Sequence, residues 1–390
     1  MTKLMEITGK ALSGEWGTND SDGTGIPVLR TTNFTNEGNI NFDSVVTRTI
    51  NKRNIDEKYL RPGDIIIEKS GGSDKQPVGR VIYFDGPKNK YLFNNFTGLL
   101  RIRDSQEWYS KYVFYSLYAN YQKGGTRRFE NKTTGLHNLK TDDYVSNYEI
   151  KEIDIDKQVT VCEQLDQAKK IIELKKHQLK ELDTLIKARF VEMFGDPVSN
   201  IKGWDRVALG ERCDIVTGNT PSRADLKNYG KFIEWIKSDN INTPSTFLTK
   251  AQEYLSETGF QKCRFVDANS LLMTCIAGSI NCIGNVAVTN RRVAFNQQIN
   301  AIVPNQDNVF YLYWLMTLSK PMIRNTVNMA LKGILSKGQL SGMLFPFPPL
   351  ELQEQFATFV AQVDKSKVAL QKSLDETQLL FDALMQKYFG

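Results

Sequence analysis

The side chains best suited to chemistry in this 390-residue chain are amides and cations, not nucleophiles or metal ligands. Asn94, Asn95 and Thr97 lie in the block Phe93–Leu100, and Asn296, Gln297, Gln298 and Asn300 lie in the block Phe295–Ile302. Asn and Gln match the donor–acceptor edge of adenine, and Arg and Lys match guanine. Thr31 and Asn33 in one block, and Lys237, Ser238 and Asn240 in another, add hydroxyls, amides and a cation. Lys123, Arg127, Arg128 and Lys132 form the densest basic cluster, in a Gly- and Thr-rich stretch that also holds Tyr121 and Phe129. Lys332-Gly333 and Lys337-Gly338 are expected at the corresponding place later in the chain. A glycine beside a cation lets backbone amides approach phosphate oxygens. Asn-rich segments also close turns, and part of this set is expected to do only that.

The residues for catalysis are missing. Two histidines, His137 and His177, cannot supply a His-based triad or a His-ligated metal. Five scattered cysteines with no CxxC support neither a disulfide framework nor a zinc ribbon. No G-x-x-x-x-G-K-[ST] loop occurs. An amino-methyltransferase needs an Asn- or Asp-Pro-Pro-aromatic run, and the single Pro-Pro, in Phe347-Pro348-Pro349-Leu350, lacks both the amide and the aromatic. Asp64 with Glu68-Lys69 has the wrong spacing for a metal nuclease and reads as surface charge at a strand end. Cys275 and Cys282 read as small buried apolar groups, and His177 as a solvated or seam residue of a long helix.

The elements that position the amides follow from composition and pattern. The chain is 41% hydrophobic and 24% charged, as in globular domains, and its length predicts two or three of them. No stretch approaches 18 uncharged apolar residues, and the first ten carry no signal-like apolar run, so no membrane partner and a cytoplasmic location are expected. The net charge of +6 is unevenly spread. Lys+Arg against Asp+Glu is 22 to 20 over residues 1–155, 8 to 8 over 156–197, 16 to 10 over 198–350 and 4 to 6 over 351–390. That excess suits a polyanionic partner without requiring one.

Residues 157–194 contain neither Gly nor Pro, and Leu165, Ala168, Ile172, Leu179, Leu182, Ile186 and Met193 recur at helical spacing. Gly195-Asp196-Pro197 stops the run. Val360, Val363, Leu370, Leu374, Phe381, Leu384 and Tyr388 repeat the pattern after Pro348-Pro349. Each helix would span roughly 55 Å at 1.5 Å per residue. Neither can bury its seam alone, so the two are expected to pair as a coiled coil.

The chain also repeats itself. Ile26–Phe34 matches Ile233–Ile241, Phe93–Leu100 matches Phe295–Ile302, and Gly63-Asp64 matches Asn269-Ser270. Tyr112–Tyr115 matches Tyr311–Trp314, and Ile153–Gln158 matches Leu350–Gln355, with the offset drifting from 207 to 197. The expected organisation is a first domain over 1–152, a spacer helix over 153–197, a second domain over 198–349 and a second helix over 350–390.

This plan resembles the specificity subunits of type I restriction–modification systems, the HsdS family. The resemblance rests on Leu350–Gln355 after Pro-Pro, on Phe389-Gly390 and Phe194-Gly195 at the helix ends, and on Trp204–Glu211 followed by Gly218-Asn219-Thr220-Pro221. The first half is looser and lacks the Trp-x-x-x-x-Leu-Gly opening. The resemblance implies an α+β fold with two target-recognition domains, each followed by a long helix, the two helices forming an antiparallel coiled coil with pseudo-twofold internal repetition. It implies that each domain reads half of a bipartite site in double-stranded DNA, with the set above, Asn219 included, as candidate contacts. It further implies that the helices set the gap and dock two methyltransferase subunits, that S-adenosylmethionine sits on those subunits, and that two restriction (translocase–endonuclease) subunits can join. The chain itself would have no catalysis, cofactor or metal. The competing expectation is a coiled-coil scaffold whose domains bind protein.

Overall fold

Ile65-Ile66-Ile67 and Leu271-Leu272-Met273 are continuous apolar runs because both faces of each strand are covered. Successive strand residues point to opposite faces. Thus Ile65 and Ile67 join one apolar cluster and Ile66 another. Likewise Leu271 and Met273 separate from Leu272. The computed structural model that gives these contacts describes residues 1–52, 55–133, 136–327 and 333–390. It divides into two compact units, Met1–Lys175 with Ser373–Gly390, and Lys176–Lys372.

One four-stranded sheet has the same strand order in both units. In the first, strands Leu12–Ser13, Thr97–Leu100, Ile65–Glu68 and Val81–Tyr83 pair antiparallel in that order. In the second the order is Cys213–Thr217, Ile299–Pro304, Leu271–Thr274 and Val286–Val288. A second sheet in each unit contains one parallel pair, with Leu29 opposite Phe93 and Ile236 opposite Phe295. The internal repeat read from the sequence is therefore a repeat of topology.

Structure adds one detail to that repeat and changes another. The first unit lacks the Trp-x-x-x-x-Leu-Gly motif yet carries an equivalent opening strand. Thr2–Lys3 pairs with Glu149–Ile150 as Arg206–Ala208 pairs with Leu344–Pro346. Leu4 N–H then bonds Tyr148 O as Leu209 N–H bonds Met343 O. The last matched block is also shifted. The helices start at Ile155 and Leu350, so Gln158 corresponds to Gln353 and not to Gln355. Both glutamines are buried and accept an N–H from the start of a neighbouring helix.

The helices Ile155–Phe194 and Leu350–Phe389 are 40 residues each. Gly195, at φ +79°, ends the first by bonding Val191 O at 2.8 Å, a left-handed cap that suits glycine. In each unit the helices run antiparallel. Lys175 reaches Ser373 Oγ at 2.8 Å and Thr377 Oγ1 at 2.6 Å in the first unit. Lys367 reaches Asp183 at 2.8 Å in the second. Of the expected seam, Leu165, Ile172, Ile186, Val363 and Leu374 are buried, and Leu179, Leu182, Leu370, Phe381 and Leu384 are half-buried. The seam serves the globular cores as well as the partner helix. Leu165 packs among Tyr112, Tyr115 and Met385, and Ile186 among Tyr311, Phe190 and Phe356. No helix among the described residues is long and apolar enough to cross a membrane.

Candidate nucleic-acid interface

In each unit one turn ties three segments together. Asn94 N–H bonds Leu29 O, Glu15 N–H bonds Phe93 O, and Lys69 N–H bonds Phe96 O. In the second unit Asn296 N–H bonds Ile236 O, Asn219 N–H bonds Phe295 O, and Cys275 N–H bonds Gln298 O. Gly14 and Gly218 make this possible, since a Cβ there would sit 2.1 Å from Asn94 O and 2.2 Å from Asn296 O respectively. No side chain fits such an approach.

The turn sorts the candidate amides by role. Asn94, Thr97, Asn296 and Asn300 are buried and belong to the scaffold. Thr97 Oγ1 donates to Asn94 O at 2.8 Å, and Asn296 Oδ1 accepts Gln298 N–H at 3.0 Å. Asn33 and Asn240 are also buried. Their Oδ1 atoms accept Arg30 N–H at 2.9 Å and Lys237 N–H at 3.1 Å, so they lock equivalent single turns and do not face a ligand. Thr31 and Ser238 are half-buried in those turns. Asn219 spends its amide on Lys262 O and Arg264 N–H, both at 2.8 Å. What remains outward is Asn95 in the first unit and Gln297, with half-buried Gln298, in the second.

Arg127 and Arg128 are exposed. Arg128 lies 4.8 Å over Phe129, and Arg127 touches Asp74 O at 3.4 Å. Tyr121, expected beside them, is buried. Lys332 and the side chain of Lys132 lie outside the described residues. Lys337 is exposed but opens the short helix Lys337–Gly342, which follows strand Gly333–Ile334 as Thr141–Asn147 follows Leu136–Leu139. It corresponds to Thr141 and not to the basic loop. Lys237 is not free either, because it is ion-paired to Glu253.

Sequence reading missed one feature in each unit. Arg48 stacks 4.2 Å over Trp16, beside Glu15, which bridges Lys52 and Lys58. In the second unit Arg223 lies 5.4 Å over both Tyr229 and Trp235, and Glu253 bridges Arg223 and Lys237. The Lys237 hydrogen bond, with Arg223, holds the Glu253 carboxyl below its ordinary 4.5. The sequence signal was slight: one tryptophan beside a glycine turn and one inside a repeated block.

Other readings change in detail. Asp64 and Glu68 are not surface charges. Both are buried, paired to Arg101 at 2.7 Å and Arg80 at 2.8 Å. Cys275 is buried, and burial pushes its thiol up to about 12, whereas Cys282 is half-buried. His177 is solvated. His137 is buried against Glu130 at 2.9 Å. No cluster of three or more His, Cys, Asp or Glu able to hold a metal occurs among the described residues.

The sequence profile of the type I restriction modification DNA specificity domain matches residues 2–184 and again residues 201–377. The chain belongs to this family. It carries two specificity domains, one in each half. Over 123 residues it is 31% identical to the specificity subunit of the type I restriction enzyme HindI of Haemophilus influenzae. That stretch is 31% of this chain and only 25% of the HindI subunit. In fold it is similar to the S subunit of a type I restriction–modification system from M. genitalium, with TM-score 0.57 and 16% identity, covering 100% of this chain and 95% of the other. A chain from a structure of type I restriction–modification complex assembly and conformational transition gives TM-score 0.60 and 17% identity, covering 100% of this chain and 96% of that one. In each specificity domain the repeated turn carries an outward amide, and an arginine lies over a tryptophan beside it.

Proposed function

We propose that this chain is the DNA-sequence specificity subunit of a type I restriction–modification complex. Each specificity domain reads one half of a bipartite site in double-stranded DNA. The antiparallel helices set the gap and dock two methyltransferase subunits, which carry S-adenosylmethionine and methylate adenine. Two restriction subunits join for cleavage. The chain catalyses nothing itself, binds no cofactor or metal, and works in the cytoplasm. The domain boundaries that suit this division are 1–152 and 198–349, with helices over 153–197 and 350–390.

The observation that carries this reading is the doubled specificity domain, with the same glycine-backed turn presenting Asn95 once and Gln297 the second time. Direct readout requires outward donors and acceptors on a rigid frame. The missing methyltransferase and nucleotide-binding motifs agree with chemistry placed on other chains.

The test is methyl transfer from labelled S-adenosylmethionine to DNA, by the chain alone and with a methyltransferase subunit added. The chain alone should transfer none, and the complex should methylate a bipartite site and bind DNA with steep salt dependence. Transfer by the chain alone, or salt-indifferent binding by the complex, contradicts the reading.

A further inference from the structure

Arg48 and Arg223 are both stacked on tryptophan, yet they are held differently. Arg48 donates Nε–H to Trp16 O at 3.0 Å and Nη2–H to Gly17 O at 3.2 Å, and Nη1 bonds Asn19. Its guanidinium is used up in clamping the turn that contains Trp16. Among the described residues Arg223 makes one hydrogen bond, from Nη2 to Glu253 Oε2 at 2.9 Å. Its side chain is 59% exposed, and no protein acceptor meets its Nε or Nη1 among the described residues.

Its surroundings hold it in place. Tyr229 and Trp235 meet edge to face with centroids 6.1 Å apart, and the Arg223 guanidinium lies 5.4 Å over each ring. Both rings are themselves anchored. Tyr229 donates to Pro221 O at 2.9 Å and Trp235 Nε1 to Asn219 O at 3.4 Å. Glu253 is held from behind, where its backbone carbonyl accepts Trp235 N–H at 3.0 Å. The outward Gln297 belongs to the same ridge, because Thr220 donates to its Oε1.

We propose that Arg223 is a base-reading residue of the second specificity domain and pairs with a guanine through O6 and N7 in the major groove. This rests on the function proposed above. Glu253 takes one Nη2 hydrogen, and the other, together with the N–H of Nε or Nη1 beside it, makes a parallel pair of donors that matches those two acceptors, the commonest specific contact to DNA. Stacking and the Glu253 brace remove rotamers beforehand, so little freedom is lost on binding. The same brace argues against a phosphate. Glu253 places a carboxylate against the cation, which repels a phosphate anion but not the neutral edge of a guanine.

The experiment maps methylated sites for the complex containing the wild-type chain, Arg223→Lys or Arg223→Ala. It also measures binding to a site whose guanine is replaced by 7-deazaguanine, which lacks the N7 acceptor. The wild-type motif should contain a guanine in one half-site that both substitutions relax, lowering discrimination there by roughly 5- to 150-fold. The other half-site should be untouched. Lysine keeps the charge and the Glu253 contact, so relaxation by Arg223→Lys points to the fork and not to misfolding. The 7-deaza change should weaken the wild type and leave Arg223→Ala unaffected.

An active Arg223→Ala complex with an unaltered motif overturns the proposal. So does uniform weakening at every sequence, which marks a phosphate contact, or equal sensitivity of wild type and Arg223→Ala to 7-deazaguanine. A wild-type complex that methylates no bipartite site at all instead overturns the function on which the proposal rests.

Discussion

Gln158 and Gln353 do the same work at the start of the two long helices. Each side-chain oxygen accepts a backbone N–H at 2.9 Å, from Tyr109 or Asn308, and each amide donates to the carbonyl just before its own helix, at Ile153 or Pro348. The remaining hydrogen goes to Glu107 O in one unit and to the buried Asp307 carboxylate in the other, at 2.9 and 2.8 Å. One buried amide thus fastens each spacer helix to its globular domain. Gln158→Leu should cost about 1–3 kcal/mol, since it strands buried donors and acceptors, and Gln353→Leu about 2–4 because one of its bonds is to a charged group. Urea unfolding checks this; a destabilisation no larger than that of surface substitutions would refute the fastening role.

Glu234 lies next to Trp235 on strand Tyr229–Ile236 and is paired to Arg291. Burial alone would raise its pKa, but the Arg291 pairing at 2.7 Å and the Ala251 N–H at 2.8 Å outweigh this and hold the carboxyl below its ordinary 4.5. A depressed carboxyl contributes stability that is present above the unfolded pKa and lost as pH falls through the folded one. Glu234→Gln should therefore lower the melting temperature at pH 7, with the gap to wild type closing as the pH drops below about 4.5. A gap that stays constant with pH would count against the assignment.

Arg127 and Arg128 are exposed and lightly held, as phosphate-binding arginines can be. The double substitution to alanine should weaken binding to all DNA sequences alike. It should also flatten the plot of log affinity against log salt by about 2, near 0.9 for each phosphate no longer neutralised. An unchanged slope means that this loop does not touch phosphates.

The helices can be tested as a ruler. Leu179 lines the same groove as Lys367, Val368 and Gln371, so residues 179 and 371 are at matched heights. Seven residues added after each keep the seam in phase and lengthen both helices by roughly 10 Å. The unspecified gap in the methylated site should grow by about 3 base pairs at 3.4 Å per step. Active complexes with the original gap would leave the helices as docking surfaces only.

The division of labour among these residues explains what sequence could reveal. The repeat was legible because strand pairing demands the same apolar pattern at Ile65–Ile67 and Leu271–Met273. The helices were legible because a 40-residue run without Gly or Pro permits little else. The register at Gln158 was not, since an apolar seam fixes a helical face but not where the helix begins. Asn33, Asn94, Asn240 and Asn296 looked like readers because the amide that recognises adenine is also the amide that closes a turn, and only burial separates the two uses. The Arg223–Trp235–Glu253 cluster joins residues distant in sequence, through stacking that leaves no periodic trace.

The claim that each domain reads its own half-site is tested most directly by exchanging one domain. Residues 198–349 would be replaced by the corresponding domain of another family member, and methylated adenines mapped across a genome in cells that also make the methyltransferase subunit. The account predicts a bipartite motif in which one half-site changes and the other, with the gap, is retained. A motif altered in both halves, or in neither, would contradict it.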